Sequence, residues 1–255
     1  MASVHAVPSD WDERVASLAA LTKRPWFCGL EHALMELSSQ ASHLDVRATD
    51  RLFASRAGVR FEAQTEVRRR GVPFDRARSY DGSITRRGVV PTREGSMHDL
   101  MNAVIWSVYP HTKRALHARQ DAALAREVED GQTALPGRRS RLRDRLSMLD
   151  EGGVIVWARR DHARVEHALA HADLDALASL ARDGSIGARV IGHAILEHAT
   201  MRDPRDVRGC VVQVTTEDEA AIDHAIAAAL ARDDESIERW IARHPSIAIG
   251  ALFPA

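Results

Sequence analysis

Cysteine is nearly absent from this chain. Cys28 and Cys210 are the two cysteines among 255 residues, far apart and in no CxxC pair. That excludes a zinc ribbon or a disulfide scaffold and leaves each thiol to be read as a small buried hydrophobe. Aromatic residues are scarce at 5%, which weighs against a surface built to stack nucleobases. No stretch approaches the ~18 consecutive apolar residues that a membrane helix requires, so no membrane partner is expected. The N-terminus has no basic head ahead of an apolar core, and Asp10, Asp12 and Glu13 interrupt it early. It is not read as a signal peptide, and a cytoplasmic location is expected. Runs of five or six like charges are missing: the nearest, GRRSRLRDR at 137–145, is broken by Asp144. Internal repeats and low-complexity tracts are missing too.

What is present is the balance of a globular protein, 45% hydrophobic and 28% charged with a net charge of −1. The charge is uneven: −3 over residues 1–50, +9 over 51–145 and −7 over 146–255. A basic centre can mark a nucleic-acid or phosphate surface. It can equally mean that the basic and acidic parts pack with complementary faces.

Apolar periodicity predicts helices over 10–22, with Asp10 as N-cap, over 30–40, and over 45–58 with Gly58 as terminator. A half-buried strand is expected at 59–64, where apolar and polar residues alternate. The Gly-, Pro- and Arg-rich stretch 68–95 reads as mostly irregular surface chain, with strand-like pieces near Ser83–Ile84 and Val89–Val90. A helix from Ser96 should stop before Pro110, and another should run from about Thr112 to Glu129. A loop at 129–140 precedes a helix over 141–153 closed by two glycines, then a buried strand at 154–158. Helices follow over RVEHALAHADLDALASLARD and ARVIGHAILEHATM, with a second buried strand at 208–215. Thr216 is the expected N-cap of the next helix, and one more short helix and an apolar tail end the chain. The fold class is α+β, predominantly helical with a few short strands, in one compact domain spanning 1–255. Its parts are a helical N-terminal region (1–67), a middle region (about 80–215) and a C-terminal helical extension (216–255).

The polar residues are concentrated in a few short blocks. In SMHDLMNAVIW (96–106), at about 100° per residue from His98, Tyr109 falls at about 20°, Asn102 at about 40°, Trp106 at about 80° and Asp99 at about 100°. Leu100, Met101, Val104 and Val108 form the opposite, core-facing stripe. The polar arc carries an imidazole, two short acceptor-capable side chains and two aromatics, but no Lys, Arg or Glu. That composition suits the wall of a pocket better than open water. The alternative is buried hydrogen bonding that fixes packing, with Ser96 as N-cap and Asp99 as its capping-box partner. On the next helix, Lys113, His117 and Asp121 share a face, a solvated one for Asp121. A lysine in the first turn opposes the helix dipole, which suggests that Lys113 meets an anion. Arg93 lies just ahead of a helix N-terminus, itself an anion-binding feature. Asp150 and Glu151 sit at a helix end where carboxylates oppose the dipole and need compensation, or else simply form a turn. In GHAILEHA, His193 and Glu197 stand at i, i+4, a spacing that lets both ligate one metal or bond to each other.

Three blocks taken together, VPTREGSMHDLMNAVIWSVYPHTKRALHARQ, RLRDRLSMLDEGGVIVW and VIGHAILEHATMRDPRDVRGCVVQV, resemble the bacterial proteins of domain-of-unknown-function family 3025. The family pattern is close to TRxxxxHDxxNAxxWxxxPxTKxAL, then DExG, then GHAxxE. The resemblance covers about residues 80–215. Met101 stands where the family has an aromatic, and DEGG has a glycine where asparagine is usual. The resemblance brings no established reaction, cofactor or partner. It implies that Arg93, His98, Asp99, Asn102, Lys113, Asp150, Glu151, His193 and Glu197 belong to one pattern.

Three functions compete. The favoured one is an enzyme, perhaps dependent on a divalent metal, acting on a small anionic or phosphate-bearing substrate. In it His98 and Asp99 are an acid/base pair or metal ligands and Asn102 orients the substrate. Arg93 and Lys113 hold the anion beside Trp106, and His193 and Glu197 are further metal ligands or partners that bond to the ligands. The second is a nucleic-acid-binding module using the basic centre. The third is a structural or interaction protein in which the polar blocks are internal glue.

Overall fold

The computed structural model describes residues 8–64, 75–128 and 139–253. The loop expected at 129–140, and residues 68–74 of the stretch expected to be irregular, fall wholly or mostly outside these.

The first third is helical: α1 (Trp11–Ala16), α2 (Leu18–Leu21), α3 (Glu31–Ser39) and α4 (Val46–Ala57). The helix expected over 10–22 divides at Ser17, and Asp10 makes no side-chain cap bond. Helix α4 ends where the sequence places its terminator, and its start carries a cap that the sequence reading does not name. The Asp45 carboxylate accepts from Ala48 N, and Gly58 ends the helix at φ 62°, the left-handed region open to glycine. Strand β1 (Arg60–Ala63) follows where alternation placed one.

The Gly- and Arg-rich stretch corrects the sequence reading. Around Ser83–Ile84 it forms a helix, α5 (Tyr80–Arg87), capped by Ser79 and closed by Gly88 at φ 64°. Gly82 lies in the first turn of this short helix, and Gly88 terminates it. It leads into β2 (Val89–Thr92), parallel to β1 with Arg60 opposite Val89.

Helix α6 (Met97–Val108) is capped by Ser96, whose Oγ accepts from Asp99 N. Helix α7 (Pro110–Glu127) starts two residues earlier than expected, with Pro110 in its first turn, where its missing N–H costs nothing. Then come α8 (Arg141–Gly152), β3 (Gly153–Ala158), α9 (His162–His171), α10 (Leu174–Arg182) and β4 (Ile186–Val190). The long helix expected over ARVIGHAILEHATM is therefore two elements, β4 and α11 (His193–Met201), with Gly192 as the hinge. Strand β5 (Arg208–Gln213), α12 (Glu219–Leu230), α13 (Asp234–Ile241) and β6 (Ile247–Ala248) complete the chain, and Asp218, not Thr216, caps α12 through Ala220 N. The larger sheet has the order β4-β3-β5-β6, with β3 parallel to β5 and antiparallel to β4. The fold is α+β and mainly helical, and one contiguous apolar cluster runs from Trp11 to Phe253. Among the described residues no helix is long and apolar enough to cross a membrane.

The apolar stripe of α6 is core: Met101 and Val104 are fully buried and Leu100 nearly so. Each such side chain contributes about 1.5–3 kcal/mol by leaving water. Strand β3 is buried on both faces and anchors the end of α8. Gly192 lies so close to that junction that a Cβ on it would sit 2.6 Å from the Glu151 carbonyl oxygen and 2.5 Å from Gly153 N. Gly192 N also donates to the Gly153 carbonyl at 2.9 Å. This backbone contact brings GHAILE against DEGG and puts His193 beside Glu151.

The uneven charge is used inside the molecule. Arg119 and Arg126 of the basic centre both reach Asp234 of the acidic last third, at 2.7 and 2.6 Å. Asp121, expected in solvent, is 8% exposed and faces Arg76 and Arg86.

Candidate functional site

A cleft of about 380 Å³ opens between α5, α6, α7, α8 and the start of α11. Arg93, His98, Asp99, Asn102, Asp150, Glu151 and His193 line it. Three of the remaining sequence candidates, Trp106, Lys113 and Glu197, stand behind its wall.

At the outer end, three side chains converge from three helices. Nε2 of His193 lies 3.0 Å from Nε2 of His98. The Glu151 carboxylate is 3.3 Å from His193 Nε2 and 3.8 Å from His98 Nε2. Two ligands at ~2.0–2.1 Å from a zinc-sized ion in tetrahedral geometry are ~3.3 Å apart, so this triangle has the right dimensions to hold one. A carboxylate stands behind the first histidine: Glu197 accepts from His98 Nδ1 at 2.9 Å. That fixes the Nδ1–H tautomer and leaves the Nε2 lone pair turned into the triangle.

His193 is 4% exposed, and burial pushes its imidazole pKa down to about 3 against the pull of Asp150. The ring is neutral at ordinary pH. Without an ion in the triangle, its single proton would have to sit on Nε2, facing His98. Nδ1 would then be a bare lone pair 3.9 Å from the Asp150 carboxylate, and it has no hydrogen-bond partner. Metal ligation through Nε2 would leave the proton on Nδ1, on the side of Asp150, in place of that bare lone pair. The donor set and this orphaned atom both fit a divalent ion.

Behind the outer end, Asp150 is the hub. Lys113, 2% exposed, donates to its Oδ1. Burial alone would raise the Asp150 pKa, but Lys113, His117 and His193 hold it far below the usual carboxylate range. The anion that Lys113 meets in its first turn is therefore this carboxylate. The Glu151 carboxyl is pushed up instead, by burial and by neighbouring Asp150.

The polar arc of α6 divides. Asp99 is held by Arg93 through Nη2 at 2.7 Å, Nε at 3.0 Å and the backbone N–H at 2.6 Å. It makes this clamp in place of a reciprocal capping box. Asn102 Nδ2 donates to the Tyr80 hydroxyl at 2.7 Å. Trp106 is fully buried, stacked on His117 with centroids 5.6 Å apart and planes 7° from parallel, so it backs the site without facing it.

Tyr80 and Asp81, which the sequence reading does not single out, and His117, singled out there only as sharing a face with Lys113, also line the cleft. His117 is 1% exposed and donates Nδ1–H to Asp81 at 2.9 Å, while Tyr80 meets its ring edge-on at 5.5 Å. Tyr80 as a whole residue is 40% exposed, but its hydroxyl turns inward to Asn102. Burial and the carboxylates of Asp150, Asp99 and Asp81 raise that hydroxyl's pKa well above its ordinary value. A signal for Tyr80 and Asp81 was available: Ser79 and Gly88 bracket eight residues as an N-cap and a left-handed terminator do.

The geometry also sorts the proposed ligand pairs. His193 and Glu197 share a helix, but Glu197 serves His98, and the third member of the triangle is Glu151. Arg93 and Lys113 are each committed to a carboxylate. Arg139, bonded to the Ser147 hydroxyl at 3.0 Å, is the lining cation whose described contact is neutral.

No curated protein and no solved structure matches the chain. One family model does, over residues 59–252, which take in every residue of the cleft and extend the resemblance seen in the polar blocks to both sheets. By that match the chain belongs to the family described as protein of unknown function, DUF3025.

Proposed function

We propose that the cleft is the active site of a metal-dependent enzyme of hydrolytic type, with His98, His193 and Glu151 as ligands. The observation that carries this reading is the triangle of their facing donor atoms, 3.0–3.8 Å apart and backed by Glu197. Two histidines and one carboxylate leave coordination positions open towards the cleft. The ion, when bound, supplies a Lewis acid for a carbonyl or phosphoryl oxygen of the substrate. Glu197 keeps the proton on His98 Nδ1, and a proton on His193 Nδ1 would face Asp150 at 3.9 Å. Arg139, at the rim, would meet the substrate's anionic oxygen. Arg93 and Lys113 hold the frame through Asp99 and Asp150.

The test begins with elemental analysis and competition against a chromogenic chelator for zinc and manganese. We expect about one ion per chain in the wild type and at least a hundredfold weaker binding in Glu151→Gln, with the thermal midpoint of the metal-free protein almost unmoved. Loaded protein is then assayed on chromogenic phosphate and carboxylic esters. Binding no stronger than that of the Glu151→Gln variant would overturn the reading.

A further inference from the structure

One stretch of the cleft wall presents hydrogen-bond donors. It is built from Gln120 of α7 and Ser147 of α8, with Arg139 just ahead of α8 at the rim. Arg139 Nη1 donates to the Ser147 hydroxyl oxygen at 3.0 Å, and that hydroxyl donates to Gln120 Oε1 at 3.4 Å. The direction of this chain is set by its first member. A guanidinium only donates, so Ser147 accepts from it and keeps its own hydrogen for Gln120. The carboxamide is thereby held with Oε1 toward α8 and Nε2 turned away. Gln120 is 7% exposed, and its Nε2 makes no hydrogen bond among the described residues. That atom is not sealed off as Asn102 Oδ1 and His117 Nε2 are.

The neighbouring charges leave this stretch positive. Arg93 is paired with Asp99, Lys113 with Asp150 and Arg143 with Glu127, and the Asp81 carboxylate is turned to His117. Arg139 meets no carboxylate among the described residues. It and Gln120 both bond the Ser147 hydroxyl, so their donors stand close together. A nearly buried amide N–H without an acceptor, beside an unpaired guanidinium, is a receptor for an oxyanion. Helix geometry sets its distance from the metal triangle. Ser147 and Glu151 are i and i+4 on α8, neighbours on one face with about 5–6 Å between Cβ atoms. The receptor is one helical turn along the cleft from the ligand Glu151.

We infer that Gln120 and Arg139 form a second, anion-binding pole of the cleft, so that the substrate carries a free carboxylate or phosphate group a few bonds from the oxygen that meets the metal. This inference rests on the metal reading above and deepens it, since specificity then lies in the spacing between the two poles. Ser147 is a positioning residue that orients the Gln120 amide.

The probes are hydroxamates on zinc-loaded protein, tipped with a carboxylate or a phosphonate on chains of increasing length. Each is set against the alkyl hydroxamate of the same length. The hydroxamate seeks the metal, and the tip reports on the pole. At one chain length the tipped probe should bind about tenfold tighter or more, the gain of one good charged hydrogen bond. The series that shows the larger gain identifies the oxyanion. Arg139→Met and Gln120→Leu should each remove most of that preference. Affinity for zinc and for the alkyl hydroxamate should stay at the wild-type level, which a merely structural role would not produce. Arg139 is exposed, so its variant keeps the test open should loss of the Gln120 amide impair folding. Equal affinity of tipped and alkyl probes at every length, or a preference that survives in either folded variant, overturns the pole and leaves the metal site standing. If zinc itself does not bind, the metal reading fails and the two-pole inference fails with it.

Discussion

Two kinds of polar contact lie side by side in this molecule. In the pairs Arg93–Asp99 and Lys113–Asp150, each charge is met by an opposite one. In the cluster of His98, His193 and Glu151, three groups turn metal-seeking atoms toward one another, and the proton His193 places among them leaves its Nδ1 without a partner beside Asp150. The first arrangement is how a fold secures itself. The second gives up hydrogen bonding that a well-satisfied core would keep, and it makes sense as a place prepared for a ligand. All of these residues come from the same polar blocks. Residue type and spacing do not separate glue from site, but the degree of satisfaction does.

The largest effect should come from breaking the buried pair. Lys113→Met leaves Asp150 charged and unpartnered, at a cost of about 3–5 kcal/mol in urea unfolding. The double variant Lys113→Met/Asp150→Leu should recover much of it. A cost under about 1 kcal/mol would mean that Asp150 reaches water and is not glue. Next comes the support behind the cluster. Glu197→Gln should weaken zinc binding by about 10- to 100-fold, as loss of a carboxylate behind a ligating histidine commonly does, with the unfolding of the metal-free protein nearly unchanged. Unaltered zinc affinity would place Glu197 with the glue.

Arg93→Met removes a clamp whose guanidinium is half-exposed, so about 1 kcal/mol or less should be lost, and zinc affinity should not change. The smallest effect serves as a control at a residue that does not line the cleft. Burial would raise the Glu127 carboxyl pKa, but hydrogen bonds from Ser140 and Arg143 bring it below its ordinary value. A depressed folded-state value gives stability that is present above the unfolded pKa and is lost as pH falls through the folded one. Glu127→Gln should therefore cost under about 1 kcal/mol at pH 7, and less as the medium is acidified below about pH 4. Equal cost at both pH values would show that the ion pair contributes nothing.

Much of the local structure was legible because its causes are local. Asp45 and Gly58 bound α4, Ser96 caps α6, and alternation marks β1. The failures have causes too. Composition was allowed to outweigh the Ser79 and Gly88 signals around α5. Helix-like apolar spacing in ARVIGHAIL hid a strand, because a short apolar run has no distinctive period. At the site, His98 and His193 are both candidates from sequence and the structure brings them together, but the partner of each depended on distant chain. Glu197 was matched to His193 by its spacing on one helix, yet it reaches His98 across 99 positions of sequence.

By itself, then, the sequence determined that this is a mainly helical α+β protein without a disulfide framework. It also determined that its polar residues of interest fall in three blocks, and that α6 has a core face opposite a polar one. Those properties follow from composition, caps and periodicity, which act over a few residues. Only the tertiary structure decided which charges cancel and which acceptors are left waiting. Gly192 packed on the α8–β3 junction sets His193 beside Glu151, and Lys113 reaching Asp150 withdraws a cation from the cleft. Electrostatics and hydrogen bonding act through space over a few ångströms, and residues that close were up to a hundred positions apart in the chain.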